Sequence, residues 1–300
     1  MTNGSFDDAT PLSPEGLPKG WRQFSKSAGF QRQLVAEPTG NQYLAVAGQG
    51  IVAYGSNRKA GHYATANGVR LYYETYGQGE PLLLLHGNGE SIISFMQQIG
   101  TLAKEYRVIA VDTRDQGKSG STRGTLTYDL FADDMHALLA TLRIPAAHIL
   151  GWSDGGNTGL SMALRYPRQV KSLVTMGANL YADTTAVDAA MLKQVSQDHR
   201  KLMLLAPFNQ AFRRGARLTA MLLNYPNTKP VQLQAITAPV LVLAGEKDII
   251  REAHTRLIAR SIPKGEVVIL PGLTHYAPQE NGPLFNETVL AFLRRQRPVN

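Results

Sequence analysis

The chain contains no cysteine. That excludes disulfides, thiol nucleophiles and cysteine-liganded metal sites, and leaves the compartment open. Long apolar runs are missing as well. No stretch approaches the ~18 consecutive apolar residues that a membrane helix needs, so no membrane span is expected. No two histidines stand at metal-binding spacing, so no metal is expected. Charged residues make up only 18% of the 300, with a formal balance of +8. The basic residues form no run with interleaved aromatics, which argues against a nucleic-acid partner; Arg294, Arg295 and Arg297 instead suit the negative end of a terminal helix. A signal peptide is also missing. The N-terminus is acidic, and Glu37, Pro38 and Asn41 break any apolar core, although Ala45-Val46-Ala47 resembles a cleavage tripeptide. This favours the cytoplasm.

What remains, with 43% hydrophobic residues, is a globular protein long enough for a large α/β domain. Residues 1–20 are polar and rich in Pro, Gly, Ser and Asp, a composition expected to be disordered. Residues 31–50 carry scattered apolar residues without a sustained period. We read 1–55 as an N-terminal extension and 56–300 as the main domain. Residues 62–66 and 69–76 alternate polar and apolar around Asn67-Gly68, a two-residue hairpin signal. Short apolar runs at 81–85, 106–111, 147–151, 170–176, 239–244 and 267–270 read as buried parallel strands. Phe131, Met135, Leu138, Leu139 and Leu142 share one face of a helix between two of them, and a last helix spans 283–295. Alternating strands and helices predict an α/β fold, a mostly parallel sheet flanked by helices. The connection between Gly177 and Pro239 far exceeds the ~12–15 residues of an ordinary loop. Its helical stretches at 186–203 and 210–223 predict an inserted cap over about 180–232. Seven basic side chains against three acidic ones give residues 180–230 a charge of +4, which hints at an anionic substrate group.

The most informative segment is Gly151-Trp152-Ser153-Asp154-Gly155, a G-x-S-x-G pattern between an apolar run and a helix-compatible one. Such a turn holds the serine in a strained conformation at the end of a sheet, and the flanking glycines avoid clashes. A serine hydroxyl attacks a carbonyl only when a base takes its proton and a third group orients the base. Of seven histidines, His275 follows the last predicted strand, where that base is expected; His62, His86, His136, His148, His199 and His254 read as structural or exposed. The orienting acid is expected at Asp248, in the loop after 241–245, ahead of its competitors Glu246 and Asp183. The oxyanion donors are expected to be the backbone N–H groups of Asp154 and of Asn88 in the His86-Gly87-Asn88-Gly89 loop. Gly117-Lys118-Ser119 echoes a phosphate loop, but Asp112 stands where that pattern needs glycine.

Over roughly 60–297 the chain resembles the α/β-hydrolase superfamily. The resemblance rests on HGNG at 86–89, Asp112-Thr113-Arg114-Asp115-Gln116-Gly117-Lys118-Ser119, GWSDGG at 151–156, GEKD at 245–248 and His275. Members often carry Gly-His where Asp115-Gln116 stands. GWSDGG, GANLY at 177–181 and GEKD are similar to the valacyclovirase (biphenyl-hydrolase-like) esterases. That resemblance implies that the Asp154 carboxylate binds a substrate amino group; Trp152 is a separate candidate for lining the substrate pocket. Together these readings imply a serine hydrolase with no cofactor, acting on a small-molecule carboxylic ester through an acyl-enzyme. Lactonase, amidase or aminopeptidase, carbon–carbon hydrolase and perhydrolase chemistry remain open on the same residues, as does a receptor-like binder with little turnover. Tyr181, Phe208, Phe212 and Tyr225 are candidates for pocket lining or cap core. Oligomeric state is not legible.

Overall fold

The computed structural model describes residues 31–36, 42–47 and 52–297; the segment expected to be disordered, 1–20, lies outside them. The chain divides into two compact units, Met1–Ala53 and Tyr54–Asn300. In the first, β1 (Gln31–Ala36) and β2 (Gln42–Ala47) pair antiparallel, with Leu34 opposite Leu44. The pair forms without a sustained apolar period in the sequence, because ladder hydrogen bonds are made by the backbone.

The second unit holds one eight-stranded sheet. Its strands are β3 (Gly61–Ala66), β4 (Val69–Tyr76), β5 (Glu80–Leu85), β6 (Tyr106–Asp112), β7 (Ala147–Trp152), β8 (Val170–Met176), β9 (Val240–Lys247) and β10 (Gly265–Thr274), in the order β10-β9-β8-β7-β5-β6-β4-β3. From β6 through β10 all pairings are parallel; β3, β4 and β6 pair antiparallel at one edge. The hairpin between β3 and β4 turns on Asn67 and Gly68, at φ 46° and 71°, the two positive φ values that a tight two-residue turn requires.

Both faces of the sheet are covered, which is why β5 reads as an unbroken leucine run. Leu83 and Leu85 face one layer with Met135 and Leu138 of α2 (Tyr128–Thr141), Leu160 of α3 (Asp154–Arg165) and Ile258 of α6 (Glu252–Ser261). Leu82 and Leu84 face the other, with Ile99 and Leu102 of α1 (Ile99–Leu102) and Phe285, Val289 and Phe292 of α8 (Gly282–Arg295). A short α7 (Ala277–Glu280) precedes α8. Between β8 and β9 stand α4 (Ala189–Leu205) and α5 (Gln210–Asn224). α4 begins three residues later than the sequence pattern suggested. Val187 bridges Ile250 instead of joining the helix, and the Asp188 side chain accepts the Ala190 and Met191 N–H groups as an N-cap. Among the described residues no helix is long and apolar enough to cross a membrane.

One packing contact sets how the chain crosses the sheet edge. A Cβ on Gly155 would lie 1.8 Å from Leu85 O, and one on Gly151 would lie 2.1 Å from Gly155 O. The first turn of α3 therefore rests directly on the backbone of β5 and on the end of β7. Gly155→Ala forces that backbone apart and is expected to cost at least about 1–3 kcal/mol. The urea midpoint measures this, and a parental midpoint would show that α3 is free to move away.

Candidate active site

Ser153 sits between β7 and α3 with φ 55° and ψ −116°. For a side chain with a Cβ this is a strained backbone, which persists only where the surroundings over-determine it. They do so here. Ser153 N–H donates to Met176 O at 2.7 Å, and Ser153 O accepts from Gly156 and Asn157 N–H at 2.8 and 3.1 Å. Nothing among the described residues accepts from Asp154 N–H, the first amide of α3.

The β10–α7 connection brings His275 to the same edge. Its Nδ1 donates to Asp248 Oδ1 at 2.7 Å, with both side chains buried. Asp248 Oδ1 also accepts Ile250 N–H at 2.9 Å, and its Oδ2 is buried without a partner. Trp152 Nε1 donates to His275 O at 2.8 Å, tying the His275 loop to the residue before Ser153. Gly177 makes room for the pair. It has φ 64°, and a Cβ there would stand 2.5 Å from His275 Cε1 and 3.4 Å from Asp248 Oδ2. Of the competing acids, Glu246 accepts Gly272 N–H and Asp183 accepts Thr185 N–H, both at exposed positions and away from His275. The Ser153 hydroxyl makes no hydrogen bond to the imidazole among the described contacts; such contacts commonly close only around substrate.

The other histidines are occupied elsewhere. His86 is fully buried, and burial lowers it to about 4. It is therefore neutral, donating through Nδ1 to Gly87 O and accepting Thr113 N–H at Nε2. His254 accepts Leu180 N–H, His148 bonds Ser172, His136 stacks on Tyr166, and His199 meets Thr219.

The turn after β5 lies opposite the start of α3. Gly87 N–H is taken by Glu90 Oε2 at 3.1 Å, Gly89 N–H by Gln116 Oε1, and Glu90 N–H by Gly87 O at 3.4 Å. Asn88 N–H has no acceptor among the described residues, while its side chain donates to Asp154 Oδ2 at 2.8 Å. The other oxygen of Asp154 accepts the Tyr128 hydroxyl at 2.8 Å. Burial pushes the Asp154 carboxyl up to about 6, against the pull of Asn88, Tyr128 and His275.

Two expectations change. Trp152 does not line an open pocket: it is 1% exposed and packs edge-on against Phe95 in the core, with its indole N–H held by the His275 carbonyl. Phe208, 83% exposed at the tip joining α4 to α5, is neither pocket lining nor cap core, whereas Tyr225 packs with Tyr128, Leu218 and Met221. Residues to which the motifs gave no role also reach the site. Asp115-Gln116, which replaces the usual Gly-His, is one case. Asp115 holds φ 67°, a conformation that suits glycine and that short polar side chains tolerate. It pairs with Arg217 of α5, so the charge of that cap arginine is neutralised at the cap–sheet contact. Gln116 braces the Gly87–Gly89 turn. Tyr128 and Glu90 carry no motif, and Gly177 opens GANLY without a role read from it; their signal lies only in what the fold brings beside them. A groove of ≈450 Å³ lined by Gln97, Asn286 and Arg294, among others, involves none of the residues that meet around Ser153.

Residues 80–229 match the family described as the alpha/beta hydrolase fold. A 2-hydroxy-6-oxononadienedioate/2-hydroxy-6-oxononatrienedioate hydrolase of Burkholderia vietnamiensis is 31% identical, over 76% of this chain and 92% of its own length. The human serine hydrolase BPHL is 27% identical, over 76% of this chain and 84% of its own. The crystal structure of a hydrolase from Pseudomonas aeruginosa superposes with a TM-score of 0.67 at 24% identity, covering 79% of this chain and 99% of that one. With its strained Ser153 turn at the sheet edge and His275–Asp248 beside it, the chain belongs to the α/β-hydrolase family.

Proposed function

We propose that this protein is a serine hydrolase that cleaves a carboxylic ester through an acyl-enzyme. The observation that carries the reading is the convergence of Ser153, on its strained turn, with the buried His275–Asp248 pair held in the space left by Gly177. Ser153 Oγ attacks the carbonyl carbon as His275 Nε2 takes its proton. Asp248 keeps the imidazole in the Nδ1–H tautomer and offsets the charge it gains. The oxyanion forms against Asn88 and Asp154 N–H, neither of which has an acceptor among the described residues. Collapse expels the alkoxide, which His275 protonates, and water activated by His275 then releases the acid and restores Ser153. The cap, over about 180–232 and built on α4 and α5, selects the substrate.

A second observation narrows the substrate. The Asp154 carboxyl accepts only one neutral donor at each oxygen. A carboxylate offers about four acceptor sites, so two remain for an ammonium group on the acyl part of an amino-acid ester. Since burial holds Asp154 near 6, the group is neutral below that pH and attracts a cation above it.

Hydrolysis of p-nitrophenyl acetate and butyrate tests the first reading. Ser153→Ala is expected to lower kcat at least about a thousandfold, and Asp248→Asn about ten-thousandfold; a folded Ser153→Ala protein with parental turnover would sink it. For the second, KM for a glycyl ester should rise as pH falls through about 6, while KM for a neutral ester stays level. In Asp154→Asn the two esters should respond alike. An unchanged glycyl-ester preference in that variant would remove Asp154 from substrate binding.

A further inference from the structure

The turn after β5 carries a carboxyl group that the Ser153, His275 and Asp248 assignments leave unused. Glu90 is partly buried. Its Oε2 accepts Gly87 N–H at 3.1 Å, and the Ser94 side chain bonds the same carboxyl. A Cβ at Gly87 would stand 3.1 Å from Glu90 Oε2 and 3.4 Å from Ser153 Cβ. The carboxyl therefore lies just across one glycine from the nucleophile. Three titratable groups act on it: His275 and Tyr276 from the connection after β10, and Asp154 from the start of α3. Burial raises Glu90 above the usual carboxylate range and Asp154 adds to the rise, while Ser94, Gly87 and His275 oppose it.

The geometry gives this group a task. A turn with two glycines, Gly89 at φ 70°, has little of its own to fix it. Of the four N–H groups from Gly87 to Glu90, three are taken, by Glu90 Oε2, Gln116 Oε1 and Gly87 O. Asn88 N–H is left over. Without the Glu90 carboxylate, Gly87 N–H would lose its acceptor and the turn would lose the brace nearest Ser153.

We propose that Glu90 is a positioning residue: its carboxylate staples the Gly87–Glu90 turn so that Asn88 N–H is the donor presented to the substrate oxygen. This rests on the serine-hydrolase reading. The test is the rate at which a fluorophosphonate labels Ser153 in the full chain, measured for the parent, Glu90→Gln and Glu90→Ala, with Ser153→Ala as the blank.

Glu90→Ala is expected to label about 10- to 100-fold more slowly, because a donor that is out of place stabilises the oxyanion poorly. Glu90→Gln keeps an oxygen for Gly87 N–H and should label within a few-fold of the parent. Parental labelling by a folded Glu90→Ala overturns the proposal alone, as does a Glu90→Gln protein as slow as Glu90→Ala. If Glu90→Ala does not fold, Glu90→Asp replaces it, its carboxylate one methylene short of Gly87 N–H: labelling well below that of Glu90→Gln supports the proposal and parental labelling overturns it. A folded parent that does not label overturns the hydrolase reading itself, and the proposal with it.

Discussion

Everything at the catalytic edge depends on how closely the first turn of α3 approaches the backbone of β5 and the end of β7. With a would-be Cβ of Gly155 only 1.8 Å from Leu85 O, no side chain fits between helix and strand. That contact forces Ser153 into its left-handed conformation and points the first free amides of α3 at the space above the sheet. It also fixes where the chain leaves β5, because Leu85 is followed directly by His86 and the Gly87–Glu90 turn. Nucleophile, helix N-terminus and opposing turn are thus registered to one another by backbone contact, which is stiffer than any side-chain contact.

Around this frame the electrostatics are unusual for a basic protein. Asp248, Asp154 and Glu90 gather about Ser153 and His275, and their partners among the described residues are hydroxyls, an amide side chain, backbone N–H groups and the imidazole. Burial makes ionisation of Asp154 and Glu90 harder, so each is sensitive to its donors. The positive charge of the cap does not reverse this. Arg217, which reaches the sheet edge, is neutralised by Asp115, and Lys201 sits at the surface beside Asp198. Two of the seven basic side chains along 180–230 thus already meet a carboxylate. Net charge counts side chains without regard to what they already touch.

The replacement of Gly-His by Asp115-Gln116 shows how a local departure can work at a distance. In sequence it alters a turn. In the folded protein Asp115 anchors the cap through Arg217, and Gln116 holds Gly89 N–H, so the same two residues link cap, sheet edge and the Gly87–Glu90 turn.

Periodicity, turn chemistry and motif order already determined a great deal in this chain: the strand and helix sequence, the Asn67-Gly68 hairpin, the parallel sheet with an inserted cap, and the choice of Ser153 and His275 as the residues to follow. These are legible because each rests on local spacing or on the order of elements, and both are written along the chain. Only the tertiary structure decided which acid meets His275, because Glu246 and Asp248 are two residues apart in one loop and differ only in where that loop turns. It placed Trp152 in the core and left Phe208 exposed, since burial depends on what packs opposite. It also brought Glu90, Tyr128, Gln116 and Gly177 to the site. Their roles come from contacts with residues distant in the chain, or from space left for them, and neither leaves a pattern in neighbouring residues.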